Sequence, residues 1–204
     1  MNMKLRQGEA QTTFMFLRCL YMLVFALLLM SCNEAEESNE ATKVSTYYDL
    51  NGFIEEQIAL LSKQKPMVTK TVEKDEESET RNDPAIDWNK ELELFKQADI
   101  NKVALKSSYT VIRPDSLHYE YKLKKGESAL VQQLHVTLDR KSGKPSEIKA
   151  QLVNQNKLFN SEKWVSMQCV ANNGIWRISF YEIKGYQKLS IFSESSYYIK
   201  GILR

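Results

Sequence analysis

The chain has 204 residues and a mass of 23.7 kDa, with 43% hydrophobic and 26% charged residues. This composition is typical of globular proteins and excludes the collagen-like, low-complexity and fully disordered classes. The formal net charge is only +2, from 28 basic and 26 acidic residues, so no overall field favours nucleic acid as a partner.

The chain opens with a segment typical of secretion signals. Residues 19–30 form an unbroken apolar run of 12, directly after Arg18. A membrane-spanning helix needs about 20 apolar residues, whereas a signal-peptide core needs about 7 to 15. We therefore predict a signal peptide over residues 1–31, with translation starting at Met1 or Met15. The alternative is an uncleaved anchor that begins at Phe14.

The apolar run ends in Leu29, Met30, Ser31 and Cys32. This tetrad resembles the lipobox of bacterial lipoproteins. The resemblance implies that a type II signal peptidase recognises Leu29, Met30 and Ser31, and that Cys32 carries diacylglycerol and becomes the mature N-terminus. Two or three acyl chains hold a protein on a bilayer, since each buried CH₂ contributes about 0.8 kcal/mol. The expected location is the cell envelope, with the outer membrane preferred to the inner membrane.

An acidic segment without large apolar side chains follows, and we predict a disordered tether over residues 32–45. Its start resembles the surface-export signal of lipoproteins in the Bacteroidota, carried here by Asn33, Glu34, Glu36 and Glu37. That resemblance implies a cell-surface location. The alternative is a solvated spacer.

The next part of the chain predicts two amphipathic helices in a single α+β domain over residues 46–204. The first helix is expected over 46–64, with a capping-box start at Thr46 and Asp49 and an end before Pro66. The second is expected over 87–99, with Asp87 as N-cap. Residues 74–83 contain many charged side chains and no apolar one, and we predict a charged loop over 73–84.

From about residue 107 to 203 the hydrophobic pattern has a period of two, interrupted by short turns. We predict a curved antiparallel meander of about seven strands, covered on one face by the two helices. A partly open barrel is the close variant, because long twisted sheets tend to curl.

The charged and aromatic residues of the sheet each allow a structural interpretation and a binding interpretation. Residues 101–204 carry 17 basic and 8 acidic side chains, and an outer basic face would include Lys122, Lys149, Lys188 and Lys200. Such a face could meet anionic headgroups or polysaccharide, or simply keep the sheet soluble. Aromatic residues could line a cleft for sugars or an apolar ligand, or pack in the core: Tyr119, Tyr121, Trp164, Trp176, Tyr181, Tyr186, Tyr197 and Tyr198.

Signals for catalysis and metal binding are weak. His118 and His135 are expected as diagonal neighbours on an outward face, too few for a metal site. Cys169 is expected in the core, and Glu55, Glu56, Glu91 and Glu93 on solvated helix faces. Asp115-Ser116-Leu117 resembles the acceptor motif of O-glycosylation in Bacteroides-like bacteria, which implies a glycan on Ser116. A simple turn after Pro114 is the preferred explanation unless the host has that machinery.

These observations predict a lipid-anchored envelope protein that is not an enzyme and needs no cofactor or metal. Its expected role is binding or envelope assembly, with another envelope protein or a glycan as partner besides the membrane. The alternative is a carrier of lipid or another hydrophobic ligand in a half-barrel cavity.

Overall fold

The computed structural model describes residues 46–191 and 193–204. Three helices precede most of the sheet: α1 (Leu50–Gln64), α2 (Trp88–Glu91) and α3 (Glu93–Gln97), followed by a 3₁₀ turn at Val103–Leu105. Nine strands complete the fold: β1 Val68–Lys74, β2 Glu77–Asp83, β3 Tyr109–Ile112, β4 His118–Leu123, β5 Val131–Leu138, β6 Pro145–Gln155, β7 Phe159–Asn172, β8 Ile175–Leu189 and β9 Ser195–Leu203.

All strands pair antiparallel in one open sheet with the order β2-β1-β9-β8-β7-β6-β5-β4-β3. The prediction of a sheet-rich α+β domain is therefore confirmed. The expected strand count of about seven is wrong, because the hairpin β1-β2 adds two strands beside β9. β2 and β3 form the two edges of the sheet, so it is not closed into a barrel.

The predicted charged loop over 73–84 is mostly strand. β2 is an edge strand exposed along most of its length, so it lacks the apolar alternation that identifies a half-buried strand. Its pairing comes from the backbone ladder and from cross-strand hydrogen bonds, including Thr71 Oγ1 to Thr80 Oγ1 at 2.9 Å. The turn is fixed to β9, because the Ser196 amide donates to the Asp75 carboxylate at 3.0 Å.

Helix α1 begins at Leu50, four residues later than predicted. Asp49 is the N-cap, and its carboxylate accepts a hydrogen bond from the Gly52 amide at 3.0 Å. A Cβ at Gly52 would lie 2.4 Å from that carboxylate, so glycine leaves room for the cap. Tyr47 is instead buried and bound to Asn101, which holds the segment before the helix in place.

The second predicted helix is interrupted. Leu92 has φ −97° and ψ 8°, which separates α2 from α3. The predicted cap is nevertheless confirmed, because Asp87 accepts from the Lys90 amide at 3.3 Å. Trp88, Leu92 and Phe95 are all buried. The break at Leu92 therefore does not prevent the apolar side chains of α2 and α3 from facing the core together.

The helices and one face of the sheet, here called the inner face, enclose the hydrophobic core. Leu50, Ile54 and Leu61 of α1 have no exposed surface, and neither do Leu134, Ile148 and Met167 of the sheet. These side chains form one apolar cluster. α1 is also tied to β8 by the Gln57 carboxamide, which accepts from the Ile178 amide at 2.9 Å.

One polar cluster lies within this inner layer. Glu91 accepts hydrogen bonds from Lys70 Nζ at 2.6 Å and from the Tyr181 hydroxyl at 2.7 Å. The side chains of Lys70 and Glu91 are only 14% and 12% exposed. Tyr181 lies across Gly201 of β9, where a Cβ would approach the phenol ring to 2.1 Å.

The predicted signal peptide, the lipobox with Cys32, and the tether with its proposed export signal lie outside the described residues. Within residues 46–191 and 193–204, the first buried side chain is that of Tyr47. None of the helices in this part of the chain is long and apolar enough to cross a membrane.

Candidate binding surface

The other side of the sheet, here called the outer face, faces away from the helices. Because side chains alternate along a strand, the residues between core positions on β5, β6, β7 and β8 point to this side. They surround a shallow depression of about 260 Å³, here called the Trp164 groove. Its polar and aromatic lining consists of Gln133, His135, Lys149, Gln151, Trp164, Ser166, Glu182 and Lys184.

A chain of hydrogen bonds crosses four strands at one side of the groove. The Gln133 amide nitrogen donates to Gln151 Oε1 at 2.9 Å, and the Gln151 amide nitrogen donates to Glu162 Oε1. The Tyr186 hydroxyl donates to the second Glu162 oxygen at 3.2 Å. Each member fixes the orientation of the next, so the polar groups of this face are preorganised.

Trp164 lies in the middle of this arrangement. It pairs with Gln151 on β6 and with Lys184 on β8, which places an amide on one side of the indole and an ammonium on the other. The residue is 38% exposed, which is unusual for so large a ring on a central strand. The groove therefore offers solvent an apolar surface bordered by hydrogen-bonding groups.

Two tyrosines help to hold the carboxylates of this face. The Tyr198 hydroxyl donates to Glu182 Oε2 at 3.3 Å. Desolvation and the neighbouring Glu182 raise the pKa of Tyr198, and desolvation and Glu162 raise the pKa of Tyr186. Both phenols stay protonated at neutral pH and act as donors to carboxylates.

The predicted aromatic residues divide between the two faces. Tyr121 and Tyr181 are buried in the core, and Tyr119, Trp176 and Tyr197 pack against it. Trp164, Tyr186 and Tyr198 alternate with core residues on β7, β8 and β9 and lie on the outer face. The structure thus brings together three of the eight predicted aromatic residues at or beside the Trp164 groove.

The predicted basic residues do not form a continuous positive patch. Lys149 and Lys122 are paired with Glu147 and Glu120 at 2.8 Å and 2.6 Å. Lys200 lies opposite Glu182 in the β8-β9 register. The outer face therefore has mixed charge, which does not favour a purely anionic surface as its partner.

The histidines are diagonal neighbours on β4 and β5, as expected, because Glu120 rather than His118 pairs with His135. His118 Nδ1 contacts both oxygens of Asp115 at 2.8 Å. Hydrogen bonds from the Leu117 amide and from His118 lower the pKa of Asp115. Among the described residues, no three His, Cys, Asp or Glu side chains form a group that could hold a metal ion.

Among the remaining candidate residues, Cys169 lies in the core, Ser116 in a turn and two helix glutamates in ion pairs. Burial raises the pKa of the Cys169 thiol to about 12, so this thiol is not a nucleophile at neutral pH. Ser116 is exposed beside Asp115, which closes a turn by accepting from the Leu117 amide at 2.7 Å. The expectation of a solvated face is wrong for Glu91, which is bound by Lys70 and Tyr181. Glu55 instead pairs with Lys96 across the helices at 2.7 Å.

Sequence reasoning did not single out Gln133, Gln151 or Glu162. Of the three, only Gln151 has a clear sequence signal, because it lies between the core residues Ala150 and Leu152. Their meeting depends on the strand register, which shifts at irregularities such as the one between Val131 and Gln133.

Comparison with family models, with curated proteins and with solved structures finds no match for this chain. Its function therefore has to be argued from the chemistry of the Trp164 groove and from the sequence features that precede the described residues.

Proposed function

We propose that this protein is a lipid-anchored cell-envelope lipoprotein that acts as a non-enzymatic binding module. Its binding site is the Trp164 groove, and its ligand is a glycan of the envelope. The observation that carries this proposal is the half-exposed indole of Trp164 among side chains fixed by the Gln133-Gln151-Glu162 hydrogen-bond chain.

The groove matches the chemistry of a sugar ring. A pyranose has an apolar C–H face bordered by hydroxyl groups, so it binds well to an aromatic surface with hydrogen-bonding groups at its edge. Trp164 supplies the surface, while Gln151, Glu182 and Lys184 supply acceptors and donors around it. Since hydrogen bonds already orient Gln151 and Glu182, little of their conformational entropy is lost when a sugar binds.

A glycan fits this face better than a protein does. Stable protein interfaces have an apolar centre that is depleted of charged residues. The Trp164 groove instead mixes one aromatic ring with lysine, glutamate and glutamine side chains. Its volume of about 260 Å³ is slightly below the usual range of small-ligand sites, which starts at about 300 Å³, and suits a single sugar ring.

The carrier alternative gains no support from the described residues. It requires a curved half-barrel with an apolar hollow on its concave side. The inner face of this sheet instead packs against α1, α2 and α3, with side chains such as Phe95, Leu134 and Met167 entirely buried.

The proposed location rests on the lipobox-like tetrad that ends at Cys32 and on the acidic residues behind it. Metabolic labelling with an alkyne fatty acid tests the anchor directly. We expect label on the wild type and none on Cys32→Ser, with the variant recovered in the soluble fraction. Equal labelling of both proteins would contradict the lipidation site.

Calorimetric titration of the full chain, in non-ionic detergent, tests the binding site. The probes are soluble peptidoglycan fragments and deacylated lipopolysaccharide. We expect saturable binding of one of them by the wild type. Binding by Trp164→Ala should be at least about fivefold weaker, since one stacking contact with an aromatic side chain is worth about 1 to 3 kcal/mol.

Val170→Ala is the matched control, because Val170 lies on the same face of β7 and is 45% exposed, close to the value for Trp164. Six residues along a strand separate it from Trp164 by about 20 Å. This variant should bind like the wild type. Unchanged binding by Trp164→Ala would place the glycan elsewhere.

A further inference from the structure

A second cavity, of about 340 Å³, lies at the β7-β8 turn and the C-terminal end of α1. Arg177 of β8 and Arg204, the residue after β9, both line it. Gln64 and the turn residues Asn172 and Asn173 contribute amide side chains. Pro66 and Ile175 complete the lining. The cavity thus combines two guanidinium groups with three carboxamides, and none of its lining side chains is acidic.

Arg177 is buried in an unusual state. The residue is only 8% exposed, yet its Nε has no hydrogen-bond partner among the described residues. Its Nη1 donates to Gln64 Oε1 at 3.3 Å, which is a neutral acceptor. No carboxylate in the described part of the chain lies within 4.0 Å of either arginine side chain.

This arrangement is costly without a further partner. Burying a guanidinium removes its hydration, and proteins normally compensate with a carboxylate or another anion. A planar guanidinium with free N–H groups is also well shaped to bind an anion through two oxygens. The free Nε and the second arginine are therefore the features expected of a site for an oxyanion.

We propose that the cavity between Arg177 and Arg204 binds a small oxyanion group: a carboxylate, a phosphate or a sulfate. Arg177 supplies the buried guanidinium and fixes the anion, while Arg204 closes the site from the solvent side. This site lies at the β7-β8 turn and shares no lining residue with the Trp164 groove, so it stands independently of the proposed glycan site.

The test follows the Arg177 Nε–Hε resonance by NMR in the full chain, prepared in non-ionic detergent. Sodium acetate, sodium phosphate and sodium sulfate are titrated separately at constant ionic strength, with chloride as the balancing anion. We expect a saturable shift with at least one oxyanion and none with chloride. The anion that binds most tightly identifies the chemical class of the ligand.

Arg204→Gln should weaken that binding about tenfold, the value for losing one charge-assisted hydrogen bond. Because Arg204 is exposed, this variant is expected to fold even if Arg177→Gln does not. Arg140→Gln, at an exposed position of the β5-β6 turn, is the control and should bind like the wild type. The proposal is overturned if no oxyanion saturates the Arg177 shift, or if Arg204→Gln and Arg140→Gln bind equally well.

Discussion

The two faces of the sheet differ in how they treat polar groups, although the same strands form both. On the inner face, apolar side chains pack against three helices and even the polar groups are enclosed, as in the Lys70-Glu91-Tyr181 cluster. On the outer face, the polar groups of the Trp164 groove are equally well connected but open to solvent. Hydrogen bonding alone therefore does not distinguish residues that stabilise the fold from residues that could bind a ligand. The solvent exposure of the side chain at the centre of each cluster, Tyr181 or Trp164, distinguishes them.

The largest effect is expected for Lys70→Met on the inner face. The substitution leaves the Glu91 carboxylate nearly buried without its cation, which should lower the free energy of unfolding by about 3 kcal/mol. Urea denaturation measures this change. Lys122→Met is the matched control, because its pair with Glu120 has a similar length of 2.6 Å but the Lys122 side chain is 50% exposed. Its effect should stay below about 1 kcal/mol. Equal losses would contradict the contrast between the faces.

A smaller loss is expected for Gly201→Ala. The new Cβ would lie 2.1 Å from the Tyr181 ring, so the ring or β9 has to shift, and we expect a loss of about 2 kcal/mol. The double variant Gly201→Ala/Tyr181→Ala should lose less than the sum of the two single variants, because removing the ring removes the overlap. Additive losses in thermal or urea unfolding would show that the ring does not cause the effect.

The third prediction concerns pH. Burial raises the pKa of the Cys169 thiol from 9.0 to about 12, so the folded chain holds this proton more tightly than the unfolded chain does. The resulting stability is complete below pH 9 and is lost as the pH rises toward 12. Urea denaturation at pH 8 and at pH 10.5 should therefore show a smaller loss in Cys169→Ala than in the wild type. A thiol reagent should also leave Cys169 of the folded wild type unmodified at pH 8.

The sequence predicts the inner face better than the outer one. Period-two apolar residues and the helical stripe with Trp88, Leu92 and Phe95 identify the core because burial requires them. The strand β2 escapes prediction because an edge strand open to water needs no apolar pattern. The sequence also does not predict the contacts between Gln133, Gln151 and Glu162. These contacts depend on the strand register and on a bulge in β5, which the turns alone do not specify. Glu91 is missed because its partner, Lys70, lies 21 residues away in the chain and meets it only when the helices pack on the inner face.

The smallest effect on stability is expected where the effect on binding is largest. Trp164→Ala removes a ring that is 38% exposed and whose contacts lie on the open face, so the free energy of unfolding should change by only about 0.5 kcal/mol. Urea denaturation of this variant beside Val170→Ala should give nearly equal values. If the free energy of unfolding fell by 2 kcal/mol or more, which is the cost of emptying a packed site, Trp164 would be a structural residue of the sheet and not a free binding surface. The effects of Trp164→Ala on stability and on affinity therefore have to be compared. A large loss of affinity with a small loss of stability identifies a binding surface, and the reverse identifies a packed structural layer.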